Sequence, residues 1–299
     1  MKNLKLKLIL FLALLSSTTL FSQGFYVTAG GGYAFTMNGQ RTGIGNEKSE
    51  STYNYQTNNS TSSSTIESVS LSYGKGFNFN GALGYMFNEY VGIDLGFNYL
   101  FGGKTVTESY SKHTEILQSS NNVFENTNKT SNYSRMFRVI PSLIVTPNFD
   151  KINPYIKIGA VIGFGSFYAE SNRESLKNGS HQSTSSYISK SNGGVAFGFN
   201  SALGVTYDFS ERMSLFGEVN YIGMTYAPHK SIRTKWEVDG VDQLPNLPTN
   251  QKETEYVDEL TQVQNSNNPD EPTQQLFFSQ PFNSLGFNVG VKFSLNPSN

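Results

Sequence analysis

Eight segments of this chain place large apolar side chains at every second position, with Gly, Asn, Ser or charged residues between them. They are GFYVTAGGGYAFT, GFNFNGALGYMF, VGIDLGFNYLF, MFRVIPSLIV, PYIKIGAVIGFG, VAFGFNSALGVTYDF, MSLFGEVNYIG and FNSLGFNVGVKFSL. A period of two is that of a β-strand whose two faces meet different surroundings. In a soluble sandwich the apolar face is the core face and the polar face meets water. In a membrane barrel the apolar face meets lipid and the polar face lines a lumen. The segments have about the 9 to 11 residues that a tilted membrane strand needs.

The links between segments decide between these two. Segments two and three, four and five, and six and seven are joined by the short NEY, PNFDKIN and SER. The other links are long, at about 37–75, 103–135, 170–194 and 227–281, and are rich in Ser, Asn, Thr and Gln. A sandwich has no reason to gather every long loop at one end, whereas outer-membrane barrels combine short periplasmic turns with long extracellular loops. Parts of the long links still alternate, as in SVSLSYGKG, KTVTESYS and HQSTSSYIS, which predicts hairpins continuing beyond the membrane. The expected fold is therefore all-β: an eight-stranded antiparallel transmembrane barrel with four long extracellular loops.

Charge fixes which face is which. Asp94, Arg138, Lys157, Asp208, Glu218, Asn220 and Lys292 fall on the faces opposite the large apolar residues. An Arg or Lys at the lipid midplane costs roughly 2 to 4 kcal/mol, while one inside the lumen can meet a carboxylate. Asp94, Arg138, Lys157, Glu218 and Lys292 are thus expected as a structural lumen cluster, with Glu218 paired to Arg138 or Lys157. Gly on the same face makes room for them, because eight strands enclose only enough space for side chains.

The first 22 residues, MKNLKLKLILFLALLSSTTLFS, have a basic start, a short apolar run and small residues before a cleavage site, the layout of a signal peptide. The mature chain, 23–299, then forms one domain. With no Cys, an exported chain has neither a disulfide nor a Cys-linked lipid anchor. Later in the chain no apolar run reaches 18 residues, so helical spans are excluded. A net charge of −1 suggests no nucleic-acid partner.

The stretch GFNSALGVTYDFSERMSLFGEVNY, the closing FNVGVKFSL and INPYIKIGAVIGFG resemble strands of the small outer-membrane β-barrel domains of OmpA-type and OmpW-type, the "porin family". The resemblance implies an outer-membrane location and surroundings of outer-membrane lipid and lipopolysaccharide. It also implies insertion by the barrel-assembly machinery and a monomer. Two departures stand out: no peptidoglycan-binding domain follows the barrel, and SLNPSN continues past Phe293, where family members often end on an aromatic.

Chemistry is sparse. His113, His181 and His229 fall in long links without metal-ligand spacing, so no metal, cofactor or catalytic residue is expected. No Ser or Asp activated by a His can be assembled. Gly30 to Gly32 have no following helix or Lys and read as strand, and the acidic last link reads as solvated. What the resemblance implies is a non-enzymatic barrel serving envelope integrity or surface contact; the alternative, in the manner of OmpW-type barrels, is passage of small or apolar solutes, and a lipid-modifying enzyme ranks third.

Overall fold

The computed structural model describes residues 24–37, 41–260 and 268–295; the expected signal peptide lies outside them. In chain order, β1 (Gly24–Thr36) is followed by a hairpin of β2 (Arg41–Asn54) and β3 (Asn59–Ser70). Next come β4 (Gly76–Met86), β5 (Val91–Gly102), β6 (Thr105–Ile116), β7 (Asn121–Val145), β8 (Ile152–Lys177), β9 (Ser180–Asp208) and β10 (Met213–Tyr226). After them lie β11 (Lys230–Val238), β12 (Val241–Asp242), a one-turn helix at Thr249–Lys252, β13 (Glu253–Val257), β14 (Thr273–Leu276), β15 (Gln280–Pro281) and β16 (Ser284–Ser294). No helix among the described residues is long and apolar enough to cross a membrane.

Eight of these strands close into a ring. β1 pairs with β4, then β5, β7, β8, β9, β10 and β16 follow in turn, and β16 pairs back onto β1. Every pairing in the ring is antiparallel, so no strand in it has a free edge. The short turns between β4 and β5, β7 and β8, and β9 and β10 lie at one end, with Gly24 and Ser294. The apolar face is the exposed face: Phe77, Phe197 and Val289 stand 67%, 68% and 68% exposed, while the neighbouring Asn78 and Asn288 are buried. An apolar belt of that size facing water would forfeit roughly 25 cal/mol per Å², so the fold requires apolar surroundings.

The chain holds sixteen strands among its described residues, beyond the eight expected from periodicity. The others build on the long-link end. β7, β8 and β9, at 25, 26 and 29 residues, run well past the ring. β6 pairs with the far half of β7, β2 joins β6 in parallel, and β3 ends that side. Across the sheet, β11 pairs with the far half of β9, followed by β13 and β14. The hairpins expected beyond the membrane from KTVTESYS and HQSTSSYIS are present in β6 and β9, and β-structure extends further through the long links than their polar composition led one to expect. Their tips are readable in retrospect: Asn178-Gly179 and Asp239-Gly240 both take left-handed φ values, 50° with 76° and 49° with 78°, as a two-residue type I′ hairpin requires.

Candidate functional site

The interior of the ring has three layers, supplied by inward positions of its strands and, at the long-link end, by two links as well. At the short-turn end is an open vestibule of about 1330 Å³, bordered by Met86, Thr146, Asn153, Asp208, Lys292 and Ser294. The Ser214 hydroxyl donates to the Asp208 carboxylate in its wall. Lys292 lies over the Tyr26 ring, 4.4 Å from its centroid.

Above the vestibule is the charge cluster. The Lys157 ammonium lies 2.8 Å from Asp94 Oδ2 and 3.6 Å from Glu218 Oε2. Two tyrosines orient the carboxylates: the Tyr26 hydroxyl donates to Asp94 at 3.4 Å, and that of Tyr155 to Glu218 at 3.1 Å. Each ring lies across a glycine that faces it in register, Tyr26 over Gly84 and Tyr155 over Gly204. A methyl group at either glycine would fall inside the ring, so glycine here makes room for the tyrosine. The sequence places both elements of the device, a Tyr inward on one strand and a Gly inward on the next.

Asparagines continue the layer. Asn98 and Asn80 each donate through Nδ2 to Asn78 Oδ1, at 2.9 and 3.3 Å. Asn288 donates to Glu218 at 3.4 Å and to Asn220 at 3.1 Å, and Asn220 to Asn200 at 3.5 Å. The sequence puts these residues on the inward face but does not show that they bond to one another, although a signal exists. The triplet Gly-Phe-Asn recurs at 76–78, 96–98, 198–200 and 286–288. In each, the Asn is buried inside the ring, and three of the four Phe residues are exposed outside it.

Of the two partners expected for Glu218, Arg138 or Lys157, the structure gives Lys157, and Arg138 behaves differently. It is buried, but it makes no ion pair among the described residues, and its Nε and Nη2 have no protein partner. The register explains this: Arg138 faces Asn98 on β5 and Gly163 on β8, whereas Lys157 faces Ile144 and Ala202. Of the five charges expected to form one cluster, the structure joins Asp94, Lys157 and Glu218. Lys292 sits below them on Tyr26, and Arg138 stands apart.

The third layer closes the long-link end, and the sequence analysis did not foresee it. Leu71, Tyr73, Leu100, Met136, Val161, Phe167, Ile222, Met224, Tyr226 and Phe282 form one buried apolar cluster. Leu71 and Tyr73 come from the link before β4, expected as part of a long loop, and Phe282 opens the eighth segment, expected as strand, although β16 begins only at Ser284. Their rings meet: Tyr73 is 4.8 Å from Phe167 and 5.5 Å from Phe282, and Tyr226 is 5.7 Å from Phe282. The polar tips are satisfied, with the Tyr226 hydroxyl donating to Gly165 O at 2.8 Å and the Ser134 hydroxyl to Tyr73 O at 2.6 Å. Backbone bonds from Tyr73 N to Pro281 O and from Phe282 N to Met224 O tie the two links together and to the wall.

The histidines lie apart from this interior. His113 meets the Ser51 hydroxyl at 2.8 Å, His181 lies 3.5 Å from Asp239, and His229 packs on Phe277. Among the described residues no three of His, Asp and Glu gather into a metal-holding group. Gly30 to Gly32 lie within β1, and β4 and β16 flank them.

No curated protein sequence matches the chain. Among solved structures, the crystal structure of Acinetobacter baumannii CarO2 is 14% identical, covering 90% of this chain and 99% of that one, with a TM-score of 0.29. The family model described as "Outer membrane protein beta-barrel domain" matches residues 8–237. With that match over most of its length and an eight-strand ring that turns its apolar face outward, the chain is an outer-membrane protein and belongs to the outer membrane protein beta-barrel domain family.

Proposed function

We propose that this protein is a non-enzymatic, eight-stranded transmembrane barrel that keeps its interior shut and carries a β-sheet platform at the cell surface. On this reading the short turns face the periplasm and the long links face outward. The platform serves envelope integrity or contact with other molecules, through β3, β11, β14 and the hairpin tips. The observation that carries the reading is the apolar cap, whose Tyr73, Tyr226 and Phe282 are all buried across the ring's interior. A water path would have to displace these packed rings, and an eight-stranded ring has little spare width.

The second reading, passage of small or apolar solutes, is favoured by the vestibule of about 1330 Å³, which is roomy enough for a small molecule. Reconstitution separates the two. In planar bilayers the shut barrel is expected to give no steady current steps, and liposomes containing it should not swell in small sugars. Reproducible steps or solute-dependent swelling would favour passage.

A further inference from the structure

We propose that the platform binds an acidic saccharide, a sugar that bears a carboxylate, at Tyr187, Arg233 and Trp236. The site is built by an irregularity in β11. Arg233 and Trp236 are three positions apart, which in a regular strand would send them to opposite faces. The register shifts between Arg233 and Lys235, where Thr234 is the extra residue of a bulge. Arg233 then faces Ser189 and Trp236 faces Tyr187, two positions apart on β9, so Tyr187, Arg233 and Trp236 share one face. The Thr234 hydroxyl fastens the bulge by donating to Ile188 O at 3.2 Å. Bulges of this kind re-aim side chains beside functional sites.

The three side chains touch. The Arg233 guanidinium lies 5.2 Å from the centroid of Tyr187 and 4.9 Å from that of Trp236, and the two rings are 6.1 Å apart. These contacts hold the fork in place, yet Arg233 makes no hydrogen bond or ion pair among the described residues, and its Nε is buried without a partner. Carboxylates are close in the sheet but are turned away. Glu237 pairs with Lys235 at 2.8 Å on the opposite face, and Glu253 and Glu255 of β13 take that face too, in register with Ile232 and Lys230. Tyr187, Arg233 and Trp236 are each half-buried, so the cluster is anchored and still open on one side.

A guanidinium set against aromatic rings with its donors free is organised for a planar acceptor with two oxygens, the carboxylate. The surroundings select what carries that carboxylate. Tyr187 and Trp236 present apolar rings with polar edges, which suit the C–H face and the hydroxyls of a sugar ring. Ser185 and Ser189 flank Tyr187 along the same face and add hydroxyl groups. An acidic peptide side chain would satisfy the fork alone. Lower on this face Ser191 stands in register with Phe167 of the cap, so the site lies above the seal, on the face that lines the ring below. Access from outside the cell rests on the outward orientation proposed above, whereas binding by the purified protein does not.

Trp236 is the only Trp in the chain, so the tryptophan emission of the full-length protein in mild detergent reads this site directly. Titration with trigalacturonic acid is expected to change that emission saturably, with calorimetry of the same titration as the second measurement. Its neutral methyl ester should bind at least about tenfold more weakly. Arg233→Lys should weaken the acid by a similar factor, because it keeps the charge and loses the fork. Deletion of Thr234 keeps every site residue but parts Arg233 from Trp236, and should abolish binding. Lys235→Ala, on the opposite face, should match the wild type. Slower gel migration after boiling shows that each variant's ring is folded, and a wild-type pattern of limited proteolysis shows that its platform is. No binding by the wild type, equal binding of acid and ester, or an unchanged Arg233→Lys overturns the proposal. A glutamate tripeptide bound as tightly as the acid would assign the site to acidic peptides and overturn the saccharide. Orientation is read separately by Ser62→Cys and Glu211→Cys on whole cells with an impermeant thiol reagent. Label at Ser62→Cys alone supports it, and label at Glu211→Cys alone inverts it whatever the saccharide result.

Discussion

Lys157 is the residue around which the interior charges are arranged. Its ammonium reaches Asp94 at 2.8 Å and Glu218 at 3.6 Å, and the side chains of Asp94 and Glu218 are only 2% and 12% exposed. Removing one partner of a buried pair typically costs about 3 to 5 kcal/mol, because the other charge is left without compensation. The loss should be larger for Asp94→Ala, which removes the shorter contact and strands the Tyr26 hydroxyl, than for Glu218→Ala, after which Lys157 keeps Asp94. Glu253 is exposed on β13, and Glu253→Ala should change stability by no more than about 0.5 kcal/mol. Urea titration of the folded barrel in lipid vesicles measures all three. Equal midpoints for the Glu218 and Glu253 variants would show that the interior pair contributes nothing. Much of this was legible in the residues: one charge per strand on the face opposite the apolar belt is enough to put Asp94, Lys157 and Glu218 inside. The partners were legible only in part, as a choice of Arg138 or Lys157 for Glu218, which the structure gives to Lys157. A period of two states which face a side chain takes, but the level at which Arg138 or Lys157 meets its neighbours depends on strand stagger, which leaves no mark in either strand alone.

At the scale of elements, ring strands were readable because their two faces meet different surroundings, and the platform strands were not because theirs do not. β3, NSTSSSTIESVS, is polar on both faces and almost wholly exposed, so its alternation carries no contrast. The cap was missed for another reason: Leu71 and Tyr73 alternate within SVSLSYGKG and Phe282 opens the last segment, but a period of two does not show that residues from two separate links meet across the ring. Within the ring, strand spacing is set where a tyrosine ring replaces a missing side chain on the adjacent strand. An added methyl at Gly84 would lie 2.0 Å from Tyr26 Cζ, and one at Gly204 2.2 Å from Tyr155 Cζ. Either tyrosine would have to leave its place, releasing its carboxylate as well. Gly84→Ala and Gly204→Ala are each expected to cost about 1 to 3 kcal/mol. Gly217, on the same ring, has nothing within 4 Å of an added methyl, so Gly217→Ala serves as the neutral control. If all three variants unfold at the same urea concentration as the wild type, the tyrosines do not hold the strands in register.

For the whole molecule, the arrangement is a vessel open at one end. The vestibule leads from the short-turn end as far as Lys157, and the apolar cap seals the other end beyond the asparagines. The seal comes from two links that cross-connect through Tyr73 N to Pro281 O and Ser72 Oγ to Asn283 O, at 3.0 and 2.6 Å, so it is held by the chain entering β4 and β16, the strands on either side of β1. Closure is thus separable from the ring itself, whose eight pairings involve neither link. Tyr73→Ala/Phe282→Ala removes two rings from the centre of the cap, and such truncations typically cost about 3 to 5 kcal/mol each when the site cannot collapse. The ring should survive, since its antiparallel pairings and lipid-facing belt are untouched, and slower gel migration after boiling should persist. Water should enter the emptied volume, because the asparagine layer beneath it offers polar partners. The expected outcome is therefore a folded barrel that gives current steps where the wild type gives none. Tyr73→Ala alone should give smaller or briefer steps, since Phe282, Phe167 and Tyr226 remain packed. A double variant that stays folded and silent would place the seal lower, at the Lys157 cluster, and Asp94→Ala would then be the substitution that opens the barrel.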